Sequence, residues 1–277
     1  MMKSKSASAP FAVWMLLFTI VPLGVVLWFA LTDKNGQFTI DNILAIGDHI
    51  NTFILSIGLG AVATVICLIL AYPLAYSISR ATARVQQTMV MIIMLPMWMN
   101  FLLRTYAWMS ILEKNGFINQ FLRLIGLLKP GESIPMINTS GAVVLGMVYN
   151  FLPFMVLPLY SVMAKLDNRI IEAAQDLGSN AWQVFRRIVL PLSVPGILSG
   201  ITMVFVPAVS TFVITKLLGG SKNQMIGDTI ETMFIGQAQN YNVGAALSLV
   251  LMVLILLCMA FMSMVDKDDE ETGGLYV

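Results

Sequence analysis

Six apolar stretches recur along this chain, at residues 10–31, 52–79, 86–112, 140–164, 190–218 and 242–265. Each is long enough to cross the hydrocarbon core of a bilayer, which takes about 20 residues in a helix. That pattern removes most folds. Backbone groups in lipid must be satisfied within the protein, so spanning segments are helices or strands of a closed barrel. The runs are continuously apolar and do not alternate with a period of two, which selects helices. Composition agrees: 58% of residues are hydrophobic and 11% charged, against about 25% charged for a soluble domain. The expectation is an all-α, polytopic membrane protein whose residues 1–277 form one transmembrane domain.

Several functions are disfavoured at once. Net charge is +1 and no basic arm or zinc-ligand spacing points to nucleic acid. Cys67 and Cys258 both lie inside apolar runs, where a cysteine behaves as a small hydrophobe. His49 is the single histidine and sits in a polar loop, so neither a metal site nor a histidine-based catalytic dyad has material to build on. Lys3 and Lys5 precede the first run, which is too long and lacks the small-residue cleavage site of a signal peptide. It reads as a retained first helix.

Orientation follows from the lysines and arginines. With the N-terminus inside, cytoplasmic segments carry Lys3, Lys5, Arg80, Arg84, Lys165, Arg169, Arg186, Arg187 and Lys267, and outer loops carry Lys34, Lys114, Arg123, Lys129 and Lys222. Nine against five favours both termini in the cytoplasm, because basic residues are retained on that side. The outer loop 113–139 holds Phe117, Ile118, Phe121, Leu122, Leu124 and Ile125 at helical spacing, as in a short amphipathic helix on the membrane surface. The acidic stretch from Asp266, opening a tail over 266–277, reads as a solvated end.

One polar block interrupts the apolar pattern at about residues 165–190. Asp167 is placed to cap a helix from Asn168 by accepting free backbone N–H groups. Glu172-Ala173-Ala174 continues it with good helix formers. Gly178 is placed to end it in the left-handed conformation that a Cβ disfavours. Ser179 or Asn180 then caps a second helix carrying Trp182, Phe185, Arg186 and Arg187 into the fifth span. The expected product is a stiff knuckle, suited to passing on a rigid-body motion where a slack loop would absorb it.

Glu172, Ala173, Ala174 and Gly178, followed by Ile188, Leu190 and Pro191, resemble the E-A-A-x-x-x-G…I-x-L-P signature of binding-protein-dependent ATP-binding-cassette importer permeases. Within that superfamily, the segment LPMWMN over 95–100 with Arg104 and Tyr106 is similar to the spermidine/putrescine permeases of the PotB type. So are LPFMVLPLY over 152–160, and LLGG over 217–220 with Asn223, Ile226 and Gly227. The resemblance covers nearly the whole chain. It implies a MetI-like type I importer permease fold of six transmembrane helices, in a bacterial cell membrane. It implies an ATPase-coupling surface at Glu172, Ala173, Ala174, Asp176, Gly178, Arg186 and Pro191. It further implies a PotC-like second permease, two PotA-like cytoplasmic ATPases that use ATP and magnesium, and a PotD-like external binding protein. The chain itself would bind no cofactor and catalyse no hydrolysis.

A path for polyamines calls for aromatic faces and polar groups, since cation–π contacts hold ammonium groups. Trp98, Asn100, Tyr106, Tyr149, Asn150, Ser210 and Thr211 are the candidates within the central spans. No Asp or Glu falls inside the six runs, whereas Arg104 does, and it would repel a polycation. Arg104 is therefore expected near the outer end of its span, turned toward Glu113 or the second permease, with charge compensation for cargo supplied by partner proteins. Gly196 and Gly200 form a small-x-x-x-small pair assigned to packing against that permease. Alternatives are an importer permease for another small solute and an ion-gradient-driven transporter. The latter ordinarily places an acid within the membrane.

Overall fold

The computed structural model describes residues 9–236 and 239–273. Lys3, Lys5 and the tail beyond 273 lie outside the described residues, as do the side chains of 265–273, Lys267 among them. The described residues are almost entirely helical. Pairing of extended backbone among them is limited to one bridge, Thr32 with Phe38.

Four helices are long and apolar enough to span a membrane, and two bent pairs bring the number to six. Helix α1 covers 9–30, with a π-helical turn at Leu16–Ile20. Helix α2 is Ile50–Ser79, α3 is Ala83–Trp98 and α4 is Phe101–Leu112. Helix α5 is Phe117–Leu124, α6 is Ser140–Met163 and α7 is Asn168–Asp176. Helix α8 is Ala181–Leu192, α9 is Val194–Ser210, α10 is Ile226–Ile235 and α11 is Tyr241–Gly273.

Helices α2, α6 and α9 pack together as the core. One face of α2 carries Ala63, Cys67, Ala71 and Ala75, one every fourth residue and all wholly buried. That spacing puts four small side chains in one line. It lets α6 approach closely enough to bury Val143, Met147, Met155, Val156 and Leu159. In lipid there is no hydrophobic drive between helices, so close van der Waals packing of this kind holds them. Both cysteines are free thiols, as their apolar settings imply.

The Gly196–Gly200 pair belongs to the same core. A Cβ at Gly200 would stand 2.6 Å from the sulfur of Met155, and one at Gly196 would stand 3.2 Å from the Pro158 carbonyl oxygen. Both neighbours lie on α6. The pair serves contact within this chain, which corrects its assignment to a partner permease. The sequence pattern could not distinguish one helix face from another.

The third and fifth spans are broken helices. The third runs from Ala83 to Trp98, then turns by 87° into the segment beginning at Phe101. Pro96 sits in a tight 3₁₀ turn, and Asn100 starts a new helix by accepting the amides of Leu102 and Leu103. The fifth bends by 62° at Ser193. Pro191 and Pro195 flank that residue, and neither has an N–H to continue the ladder. The fifth helix also ends at Ser210, earlier than residue 218, leaving Lys216 in a separate π-helical turn, Thr215–Gly219.

At the end of the bundle opposite Glu172, α10 is drawn in against the core. The Ile226 amide donates to the Ser56 hydroxyl at 2.7 Å. Gly227 lies against the last carbonyls of α9, where a Cβ would stand 2.6 Å from the oxygens of both Ser210 and Thr211. Those are backbone atoms and have nowhere to go. Gly227→Ala is expected to cost about 1–3 kcal/mol by overpacking and to lower the melting temperature of the solubilised protein. Gly58→Ala, facing open space, should leave it unchanged or raise it.

Candidate functional site

The polar block forms the expected knuckle. Asp167 accepts the Arg169 amide at 3.0 Å and opens α7. Gly178 has a φ of +85° and ends the turn after α7. Asn180 then caps α8 reciprocally: its side chain accepts the Gln183 amide and the Gln183 side chain accepts the Asn180 amide, each at 2.9 Å. Of the two capping candidates, Asn180 does the work.

Glu172, Ala173, Asp176, Gly178, Arg186 and Pro191 are all exposed, and Ala174 is half-buried. Apolar side chains stand out beside them: Ile170, Leu177 and Trp182 are 48%, 88% and 66% exposed. Six of the seven residues are thus accessible along the knuckle and the helix that leaves it, with apolar side chains exposed among them. An exposed apolar patch rimmed by polar residues marks a contact for another protein.

The ties from this surface into the bundle were not visible in the sequence. Trp182 stacks on Phe185 at 5.4 Å, and Phe185 meets Tyr72 of α2 edge-on at 5.6 Å. The Tyr72 hydroxyl is 2.8 Å from the Ser193 hydroxyl at the elbow of the fifth span. Arg80, following α2, donates to the Asn168 side chain at the start of α7 and lies 5.4 Å from the Tyr76 ring. The Arg80–Asn168 and Tyr72–Ser193 pairs are 88 and 121 residues apart in the chain, so no local pattern announces them.

The seven path candidates do not come together as one lining. Trp98 and Tyr106 are exposed on the broken third span, and Asn100 is engaged as the cap between its halves. Tyr149 meets Trp108 edge-on at 5.4 Å. Asn150 is buried, with its amide donating to the Gly146 carbonyl of its own helix at 2.8 Å. Ser210 and Thr211 stand apart from these, at the junction of α9 and α10.

Arg104 departs from expectation. It is 8% exposed, and its Nε and one terminal nitrogen have no hydrogen-bond partner. Its guanidinium lies 5.9 Å from the rings of both Phe101 and Tyr149, within cation–π reach. The Lys216–Glu231 pair is the one ion pair among the described residues, so Arg104 is not held by Glu113. Just past the break that follows Trp98, it packs instead beside Tyr149, which lies about 13 Å along α6 from Ser140 at 1.5 Å per residue.

The opposite end holds carboxylates that the span-by-span reading passed over. Asp228 is 5% exposed; its Oδ2 accepts the Met225 amide at 2.8 Å and its Oδ1 has no partner. Glu231, one turn on, takes both of its bonds from Lys216 Nζ, at 2.9 and 3.0 Å. Helix α5 lies at this end as anticipated. Asn119 anchors it to the backbone of Glu113 and Ile134, while Phe117, Phe121 and Leu124 remain exposed.

A bundle of up to six spans, with two broken helices and a capped knuckle at one end, has the form of a membrane transport subunit. Residues 6–268 match the family described as binding-protein-dependent transport system inner membrane component. The chain belongs to that family and is an integral membrane permease component. It is 36% identical over 252 residues to the spermidine/putrescine transport system permease protein PotB of Haemophilus influenzae, covering 88% of this chain and 87% of that one. The PotB of Escherichia coli is 34% identical over 250 residues, covering 87% and 90%. In fold, the chain is similar to a bacterial ABC transporter involved in the import of the acidic polysaccharide alginate. That match has a TM-score of 0.76 at 18% identity, covering 95% of this chain and 94% of the other.

The knuckle's stiffness is open to direct test. Asn180→Ala removes a reciprocal cap worth about 1 kcal/mol, and Gly178→Val forces a branched side chain into left-handed backbone at about 1–2 kcal/mol. Both are expected to speed amide hydrogen exchange in α7 and α8 while leaving α2 and α6 protected. Uniform exchange across the whole chain would contradict a locally built knuckle.

Proposed function

We propose that this chain is one of two permease subunits of an ATP-driven importer for polyamines such as spermidine and putrescine. The observation that carries the cargo assignment is the likeness to PotB permeases over 87–88% of the chain. The knuckle supports the mode of energy supply. Its exposed Glu172 face suits a cleft on a PotA-like ATPase, two copies of which would bind and hydrolyse ATP with magnesium. A PotD-like binding protein would deliver cargo at the opposite end. In this reading both termini and the knuckle are cytoplasmic, in the bacterial inner membrane.

Transport follows from the geometry by rigid-body motion. Closure of the ATPase pair moves α7 and α8. Arg80–Asn168 and the Trp182–Phe185–Tyr72–Ser193 chain carry that displacement to α2 and to the elbow before α9. Because the core is close-packed, it tilts as a unit and does not deform. Arg104, with two buried nitrogens lacking a partner, is placed to meet an acceptor from a PotC-like second permease. Leaving such a group unpaired in the membrane is costly.

The test is reconstitution with the second permease, the ATPase and the binding protein. Spermidine or putrescine should stimulate ATP hydrolysis and accumulate in the vesicles. Glu172→Lys is expected to cut both to a tenth or less while the chain still folds, because a like or misplaced charge at a desolvated contact costs more than 1.4 kcal/mol. Stimulation by an unrelated solute alone would overturn the polyamine assignment and leave the coupling intact. Full transport by the Glu172→Lys protein would remove the docking role.

A further inference from the structure

We propose that Asp228 and Glu231 form a binding site for a primary alkylammonium group, one end of a polyamine, at the end of the bundle opposite the knuckle. This deepens the function proposed above and rests on it. Three independent features of the structure point to such a ligand.

The first is the Asp228 carboxylate. Oδ2 accepts the Met225 amide that opens α10, while Oδ1 is buried and makes no well-formed hydrogen bond, because the neighbouring Thr215 hydroxyl donates to the Phe212 carbonyl. Asp228 lines a polar cavity of about 210 Å³, whose wall also includes Lys216 and Glu231. A buried carboxylate oxygen without a donor is costly and is ordinarily matched by a hydrogen bond or a cation. Capping alone would have been served by Oδ2.

The second is Lys216. Its side chain is an alkylammonium on a four-carbon stem, the same chemical group that ends a polyamine. It already sits on Glu231 with two bonds at 2.9 and 3.0 Å, although the side chain itself is 60% exposed. The site therefore accepts that group in good geometry, held by an internal surrogate that an incoming amine can displace. An exposed ion pair is a weak one, so displacement is inexpensive.

The third is the surface on the other side of Glu231. The same residue borders a larger groove of about 520 Å³ between α9, α10 and α11, which includes Ser210, Phe212 and Phe234. Polar cavity and apolar groove thus meet at one carboxylate. A polyamine alternates charged nitrogens with methylene runs, and the junction offers both: carboxylates for the ammonium, aromatic rings for the methylenes. Ammonium groups are also attracted to ring faces.

The occupant's arrival would free Lys216 to turn to solvent. Occupancy would lay the rest of the substrate along the groove that Ser210 and Gly227 line, where Gly227 locks α10 to the end of α9. This assigns compensation of cargo charge partly to this chain, where the spans alone had suggested only partner proteins.

The test is binding of radiolabelled spermidine to the assembled permease–ATPase complex without the binding protein, alongside uptake with it. Glu231→Gln is expected to weaken binding about tenfold or more, as for loss of a hydrogen bond to a charged group, and Glu231→Asp should recover part of that. Lys216→Met, which removes the competing ammonium, is expected to tighten binding. Opposite signs from the two halves of one ion pair would not arise from a structural role. Wild-type affinity in both Glu231→Gln and Lys216→Met overturns the site, and so does uptake by a wild-type complex that does not itself bind spermidine. A complex that imports some other solute and no polyamine overturns the function and this site together.

Discussion

The close approach of α2 to α6 is the constraint on which the rest depends. Ala63, Cys67, Ala71 and Ala75 present one line of small side chains, and α6 lays Met147, Met155 and Leu159 into the space they leave. Gly200 of α9 enters against Met155 from the other side. With lipid around the bundle as apolar as leucine, these contacts must hold by fit and dispersion. A frame held this way is stiff. Both ends of the molecule are hung from it: Met163 leads to the knuckle, and Ser140 leads to the loops beside Asn223, to which its hydroxyl donates at 2.7 Å.

Stiffness gives the knuckle its meaning. Two caps and a left-handed glycine make α7 and α8 a body, and Tyr72, Phe185, Arg80 and Ser193 join that body to α2 and to the elbow of the fifth span. The two broken helices are the complementary feature. At Met99–Asn100 the ladder is already open, so a change of angle there costs few hydrogen bonds, whereas Ser193 keeps its bonds to the Val189 carbonyl and from the Ile197 amide, each at 3.0 Å. The frame transmits, and the break at Met99–Asn100 is where relative movement is least expensive. Among the described residues, Arg80, Arg104, Asn150 and Asp228 have buried polar atoms left without a partner. They fit a subunit that completes itself only with partners and cargo.

Much of this was legible in the sequence. Six apolar runs gave the fold class because lipid admits few alternatives. Asp167, Gly178 and Asn180 gave the knuckle because capping and left-handed backbone are local chemistry with narrow residue preferences. The sequence could not give the surroundings of Arg104 between the Phe101 and Tyr149 rings, which depend on the break at Pro96 and the Asn100 cap acting together. Nor could it give the partner of Gly196 and Gly200, since helix faces are chosen by tertiary packing. Asp228 and Glu231 were missed for a different reason. They lie outside every apolar run, and only the folding-in of α10 against Ser56 and Gly227 brings them to the bundle.

The central claim is that knuckle and core move as one body. It is tested most directly by the distance between spin labels at Gln175 on the knuckle and Ile69 on the lipid-facing side of α2. The measurement uses the assembled transporter with Cys67 and Cys258 replaced by serine, with and without ATP. A narrow distribution that keeps its position in both states is the predicted result. A shift of several ångströms, or broadening on removal of nucleotide, would mean that the knuckle flexes against the core and would contradict the account.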